Sequence, residues 1–391
     1  MKQSVYVGMS GGVDSALSAA LLLEQGYDVH AIYMRNWSRD LPGFKCTWAD
    51  DLADAERVAV MLGIDLDVWD CEQEYKETVV DYLVDAYAHG YTPNPDVMCN
   101  QTVKFGTFAD RAFAAGADYI ATGHYARRKG ALGAPTAGLS RACDEHKDQT
   151  YFLWRVPGTI LARTLFPVGD IVDKVTVRQM CAERGLGIEK KPDSDGICFI
   201  GEVGIRTFLL DTLSRKAGDI VEWETGRTLG RHDGAFLFTV GQRKGLNLGG
   251  GPARYVVATD TDANVVYVTA DKKCAGLWTE ELTLTDAHFI SGQAPEPGRY
   301  QVRTRHTGQL RWAYVEKIAD AAGSAAPASA PAAPTQSAPV PAGEKNMRLR
   351  VCFDEPVQRV APGQSCVIYD GIDCLGGGII EPDPHALPAW L

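Results

Sequence analysis

Apolar residues come in two rhythms along this chain, and the change between them divides it. In the first 200 or so positions, short apolar runs of strand length alternate with longer stretches whose apolar residues recur at helical spacing. Residues 4–9 (Ser-Val-Tyr-Val-Gly-Met) predict a buried strand, and a Gly-rich turn then opens an Ala/Leu-rich helix over 16–25, closed by Gly26. Residues 27–34 predict a second strand, 49–62 a helix with Gly63 behind it, 64–69 a third strand, and 118–122 another that ends at Gly123-His124-Tyr125. Repeated strand-helix-strand units imply a parallel sheet covered by helices, with ligands beyond the carboxyl ends of its strands.

From about Gly204 the runs become short, often alternating and punctuated by glycines, as at 235–240, 255–259 and 265–269. Two mostly β modules are expected there. Residues 319–345 break the pattern again, with five prolines between Pro327 and Pro341 among alanines and serines. That composition cannot bury a core and predicts a flexible insertion, since strand-like sequence resumes at 347–353 and 365–369. The fold class expected is α/β: an N-terminal parallel-sheet nucleotide-binding domain over 1–202, a small central domain over 203–275, and a C-terminal β-barrel over 276–391 carrying the insertion.

Composition narrows the setting. The 391 residues are 45% apolar and 23% charged, an ordinary globular mix. No run approaches the length of a membrane span and the N-terminus lacks a signal-peptide layout, so the expected compartment is the cytoplasm, with no membrane partner. Ten cysteines in such a compartment are expected as reduced, metal-bound or catalytic thiols, and any disulfide as transient. The net charge of −11 is uneven: −9 falls on residues 1–202 and +2 on 203–318. The basic middle segment leaves room for phosphate contacts that charge alone does not establish.

The strongest chemical signal is Ser10-Gly11-Gly12-Val13-Asp14-Ser15, set between the first strand and the first helix. Paired glycines let backbone amides approach an anion, the helix N-terminus adds its positive end, and the serines donate hydroxyls. Asp14 would repel a bare phosphate, which makes sense if Mg²⁺ lies between them. No Lys follows the glycines as in a Walker-type loop, and the spacing does not fit Gly-x-Gly-x-x-Gly. The loop resembles that of the PP-loop ATP pyrophosphatases, which cleave ATP between the α and β phosphates. That superfamily includes amide-forming ligases and tRNA-modifying transferases, so the loop names an activation step and not a product.

Two cysteines stand in polar, turn-rich contexts. Cys99 follows Asn94-Pro95-Asp96-Val97-Met98 and is expected in a loop, ahead of a helix near 106–115 whose N-terminus would lower its thiol pKa. Cys198 ends the polar turn Lys191-Pro192-Asp193-Ser194-Asp195-Gly196-Ile197. Cys71 and Cys181 are expected inside helices. Taken singly, Cys99 reads first as an inert loop thiol and Cys198 as a buried strand thiol, and sequence spacing does not show that they meet.

Together with these contexts, stretches 10–15, 94–105, 122–126, 148–153, 164–170, 193–202 and 240–246 resemble the bacterial tRNA-specific 2-thiouridylases over nearly the whole chain. The resemblance implies Cys99 and Cys198 as the catalytic pair, and ATP held by Gly8, Met9, Ser10, Gly11, Gly12, Val13, Asp14 and Ser15 with Met34 and Gly123 near the adenosine. It implies activation of the 2-carbonyl oxygen of a wobble uridine and a persulfide sulfur on Cys198, supplied by a sulfur-relay protein or cysteine desulfurase. A transient disulfide between Cys99 and Cys198 closes the cycle. It assigns Asn94, Pro95 and Asp96 to the target base, Lys147, Asp148 and Gln149 to tRNA, and the acceptors to tRNAs for Glu, Gln and Lys. A further tRNA contact is an Arg-Tyr pair in the family. Here it falls on Arg305-His306, so His306 departs from the pattern.

The 240–246 turn, basic and Gly-rich, is a candidate phosphate contact. His124 is a candidate for packing or nucleotide contact, with no catalytic role assigned. Competing readings keep the loop and change the product: an iron-sulfur tRNA thiolase or an amide-forming ligase. The first lacks a Cys-x-x-Cys among positions 46, 71, 99, 143, 181, 198, 274, 352, 366 and 374. The second has no use for the two thiols. A non-catalytic, nucleotide-regulated RNA-binding protein is the reading from another class.

Overall fold

The computed structural model describes residues 2–40, 46–193, 204–318, 347–383 and 387–388. Strand β1 (Ser4–Gly8) buries Val5 and Val7 and runs parallel to β2 (Asp28–Arg35), Val5 opposite Val29. The crossover between them is helix α1 (Val13–Glu24). A second crossover, α2 (Trp48–Leu62), stops at Gly63 in the left-handed conformation and leads to β3 (Leu66–Asp70) beside β2. On the opposite flank of β1 lies β4 (Tyr119–Ala121). A hairpin of β5 (Ala126–Lys129) and β6 (Gly138–Arg141) follows, and then the two-residue β7 (Thr164–Leu165) against β4.

The order β3-β2-β1-β4-β7 is parallel throughout and reverses direction at β1. Such a switch point opens a crevice between the carboxyl ends of β1 and β4. One face of the sheet packs Leu17 and Leu22 of α1, Val58 of α2 and Val177 and Cys181 of helix Lys174–Glu183. The other packs Phe105, Phe108 and Ala112, and continues through Trp154 into Val367, Tyr369 and Ile379 near the C-terminus.

Helix Gly204–Thr212 precedes a four-stranded sheet of β8 (Gly218–Glu222), β9 (Thr228–His232), β10 (Tyr255–Asp260) and β11 (Val265–Thr269), ordered β10-β11-β8-β9. The last module comprises β12 (Trp278–Phe289), β13 (Gly298–Arg303), β14 (Arg311–Ile318), β15 (Arg348–Gln358), β16 (Ser365–Asp370) and β17 (Asp373–Ile380). Pairing of β12 with β17 closes these six strands into a barrel around Leu284, Val302, Val315, Val351 and Ile368. The β5–β6 hairpin adds to the barrel, with Leu139 opposite Cys374, so the sheet domain and the barrel share hydrogen bonds as well as a core.

Three expectations need correcting. Residues 235–240 form no strand; Ala235–Leu237 is a 3₁₀ turn, because the Ala235 amide is taken by the Asn264 side chain (3.1 Å) and the Thr239 amide by Gln242 (3.0 Å). Cys71 is not inside a helix but at the position that precedes one, with Glu72 as the first helical residue. Cys99 is not in a loop: helical conformation runs continuously over 95–114. Asn94 caps that helix, its side chain accepting from the Asp96 and Val97 amides (3.1 and 3.3 Å), and Pro95 takes the first helical position, where its missing N–H costs nothing. Cys198 and the insertion over 319–345 lie outside the described residues.

Candidate active site

The 9–12 turn occupies the β1 end of the crevice. Gly11 has φ 71°, and a Cβ there would come within 2.1 Å of the Asp51 carbonyl oxygen, so only glycine fits. No side chain caps α1, which leaves its first-turn amides facing the turn. Ser15 braces the loop from within: its hydroxyl donates to the Gly12 carbonyl (3.1 Å) and accepts from the Ser10 amide (3.2 Å). Gly123, at the end of β4, packs on the start of α1, where a Cβ would lie 2.7 Å from the Ser15 amide nitrogen. Met34 closes the side of Gly8, its methyl 3.0 Å from where a Cβ would be. Gly8, Gly11, Asp14, Ser15, Met34 and Gly123, scattered through 116 positions of sequence, therefore meet around one cradle. We expect Gly123→Ala to weaken ATP affinity about tenfold or more by forcing the α1 N-terminus aside, measured by calorimetric titration against wild type.

Asp14 is held by two neighbours from elsewhere in the chain. Lys174 reaches both of its oxygens at 2.7 Å, and the Tyr125 hydroxyl donates to it at 2.8 Å. Burial and the neighbouring Asp14 push the Tyr125 phenol far up, which keeps it a donor. Lys174 thus sets a positive charge against Asp14 inside the crevice. Lys174 also lies 3.1 Å from Asp193, which pairs with Lys147 and Arg178 at 2.7 Å each. Burial alone would raise the Asp193 pKa, but hydrogen bonds from Lys147 and Lys174 outweigh it and hold the group at about 2. Sequence reading missed Lys174, Tyr125 and Arg178; nothing local marks a lysine that acts 160 positions from its partner.

The helix over 95–114 forms the far wall. Its middle, Cys99–Thr107, is π-helical, a widening that recurs at functional sites. Cys99 begins that stretch, 5% exposed, in a cluster with Cys71, Met98, Val103, Phe208 and Leu209. Burial raises the Asp96 pKa, with Lys104 opposing. Lys104 approaches His124 Nε2 at 3.5 Å, and His124 Nδ1 meets Thr122 Oγ1 at 2.8 Å, so the Cys99 helix touches the strand end that carries Gly123. Burial, reinforced by Lys104, pushes His124 well below its ordinary pKa and keeps the ring neutral.

The expected tRNA contacts separate into two kinds. Arg305 is exposed at the tip of the β13–β14 hairpin. His306 stacks on Phe152 (centroids 4.3 Å apart), and its buried Nδ1 has no hydrogen-bond partner. Phe152 is in turn bonded to the Cys99 helix, its carbonyl accepting from Asn100 Nδ2 at 3.4 Å. Gly241 of the 240–246 turn faces this tip, a Cβ there lying 3.8 Å from an Arg305 guanidinium nitrogen. Lys147 is partly exposed beside Asp193.

Asp148 is different. Its side chain is 0% exposed, and it accepts from Arg303 (2.9 Å) and Thr150 (3.0 Å) while pairing with Arg141 at 3.4 Å. That carboxylate ties the β6 end to the barrel. Gln149 accepts from the Tyr125 amide (2.9 Å) and its own amide donates to the Tyr125 carbonyl (2.8 Å), fixing the residue that holds Asp14.

Comparison with known proteins matches three family models in order: tRNA methyl transferase HUP domain over residues 3–202, tRNA methyl transferase PRC-barrel domain over 206–270, and aminomethyltransferase β-barrel domain over 334–380. Among curated relatives, the tRNA-specific 2-thiouridylase MnmA of Idiomarina loihiensis is 42% identical over 97% of this chain and 96% of its own length. That of Akkermansia muciniphila is 40% identical over 96% and 98% respectively. That of Burkholderia thailandensis is 41% identical over 99% and 97%. The model descriptions carry the words methyl transferase, whereas these full-length relatives are named for thiolation.

Proposed function

Since the chain belongs to the tRNA-specific 2-thiouridylases and is a tRNA sulfurtransferase, we propose that its substrate is the wobble uridine of tRNAs for Glu, Gln and Lys and that its thiols are Cys99 and Cys198. The observation that carries this reading is the Lys104–His124 contact, which ties the helix that carries Cys99 to the strand end of Gly123, next to the phosphate-binding turn. ATP fits the cradle, because Gly11 and Gly123 leave the space that side chains would fill and the α1 amides are uncapped. ATP supplies the adenylyl group that turns the uridine 2-oxygen into a leaving group, with release of pyrophosphate. Mg²⁺ would be carried on the nucleotide phosphates, with Asp14 the candidate carboxylate to hold it, and would offset their charge.

Gly8, Met9, Ser10, Gly11, Gly12, Val13, Asp14 and Ser15 hold the phosphates, with Met34 and Gly123 toward the adenosine. Asn94, Pro95 and Asp96 face the uracil, and Lys147, Arg305 and His306 meet the RNA. Cys198 receives a terminal sulfur as a persulfide from a relay protein or cysteine desulfurase. The Cys99 thiolate attacks the inner sulfur of that persulfide, forming the Cys99–Cys198 disulfide and releasing hydrosulfide. Hydrosulfide forms the C2–S bond as the C2–O bond breaks, its electron pair leaving with AMP. A thiol reductant then resets the pair. The domains are 1–202, 203–275 and 276–391, and the protein works in the cytoplasm.

The test is pyrophosphate release. Unmodified tRNA with a wobble uridine should raise AMP and pyrophosphate production well above the rate with ATP alone, whereas the same tRNA carrying cytidine at that position should not. Equal rates for both would overturn the substrate assignment.

A further inference from the structure

Of Lys104, Lys147, Lys174 and Lys191, three form ion pairs among the described residues and Lys104 does not. Lys174 has Asp14 and Asp193, Lys147 has Asp193, and Lys191 has Asp51 and Asp54 at 2.7 and 2.6 Å. Lys104 is half-buried, and among the described residues it forms no ion pair; its polar contact is the His124 ring at 3.5 Å. A half-buried ammonium facing a neutral imidazole is a costly arrangement for a folded chain to retain. Asp96 is close enough to feel the charge but not to pair with it.

Geometry aims this charge. Lys104 lies in the same π-helical stretch as Cys99, five residues on, and the contact with His124 turns it toward the end of β4. The His124 ring is fixed by Thr122 at 2.8 Å and by Phe105, 5.8 Å between centroids. With Nδ1–H donated to Thr122, Nε2 is left to accept from Lys104 and hold it. His124 directly follows Gly123, which packs on the α1 N-terminus. The ammonium thus stands at the edge of the nucleotide cradle, on the side of the Cys99 helix.

We propose that Lys104 binds the α-phosphoryl oxygens of the nucleotide, with His124 as its positioning residue. The inference rests on the proposed ATP-dependent thiolation and deepens it. Two bond exchanges put charge on that group. First the uridine oxygen-to-phosphorus bond forms as the bond to pyrophosphate breaks; later the C2–O bond breaks and its pair departs on AMP. One ammonium, a compact charge with three donors, serves both without moving a proton.

Calorimetric binding of adenosine and of AMP to wild type, Lys104→Ala and Lys104→Arg tests this without relying on turnover. The expected result is that Lys104→Ala binds AMP about 10- to 100-fold more weakly while adenosine affinity stays within twofold, the size expected for one charge-assisted contact. Lys104→Arg should retain part of the AMP preference, and ethylammonium added to Lys104→Ala should restore part of tRNA-dependent pyrophosphate release. An equal loss for adenosine and AMP, or no loss for either, would overturn the assignment. If wild type bound neither ligand and made no 2-thiouridine, the underlying nucleotide reading would fall instead, and the role of Lys104 with it.

Discussion

With serine at position 99, 2-thiouridine formation should fall at least about 10³-fold, while pyrophosphate release driven by unmodified tRNA continues within a few fold of wild type. Losses of that size accompany removal of a group that takes part covalently. A hydroxyl cannot carry out thiol-disulfide exchange, so the persulfide would remain on Cys198 and hydrosulfide would not be released. The nucleotide cradle is built from other elements, chiefly the 9–12 turn, α1 and the end of β4, and does not need the sulfur. Misfolding is a weak rival explanation. Serine is nearly isosteric, and an imperfectly bonded hydroxyl in the pocket of Cys71, Met98, Val103 and Phe208 costs about 1–3 kcal/mol. A urea midpoint close to wild type, together with intact ATP affinity, would separate lost chemistry from lost structure.

The largest stability effect is expected at Asp148, not at a catalytic position. Its carboxylate is wholly buried between Arg303, itself 6% exposed, and Arg141, 12% exposed. Asp148→Ala leaves two guanidinium groups buried without their shared counter-charge, which costs about 3–5 kcal/mol. Arg303 belongs to β13 of the barrel and Arg141 to β6 of the hairpin, and Thr150, bonded to Asp148, also reaches the Tyr369 hydroxyl at 3.2 Å. The lost energy therefore falls on the seam between the sheet domain and the barrel. Urea unfolding should show an earlier transition for Asp148→Ala, with Asp148→Asn between it and wild type because the amide oxygen still accepts hydrogen bonds. A midpoint equal to wild type for the alanine variant would contradict the seam.

The parallel sheet was legible because strand-length apolar runs and helix-length stretches alternate with glycine at their ends, and Gly26 and Gly63 take the positive φ expected of such stops. The phosphate turn was legible for a related reason: its function needs backbone amides at a helix start, which sequence order alone can specify. The helix of Cys99 was not. Asn94-Pro95 punctuates turns and also begins helices, and only the bonds from Asp96 and Val97 to the Asn94 side chain distinguish the two. Charge pairing was least legible of all. Lys174 and Asp14 are 160 positions apart, and Lys147 stands 46 from Asp193. Asp148 was no more legible: an acidic residue in a polar-looking stretch, it is buried completely by the fold.

Mass analysis of nucleosides bears most directly on the central claim. Unmodified tRNA would be incubated with the protein, ATP, Mg²⁺ and a persulfide donor, then digested, with Cys99→Ser and Cys198→Ser run in parallel. Wild type should yield 2-thiouridine and both variants none above background. Equal yields from wild type and either variant, or AMP and pyrophosphate with no sulfur in the RNA, would contradict it.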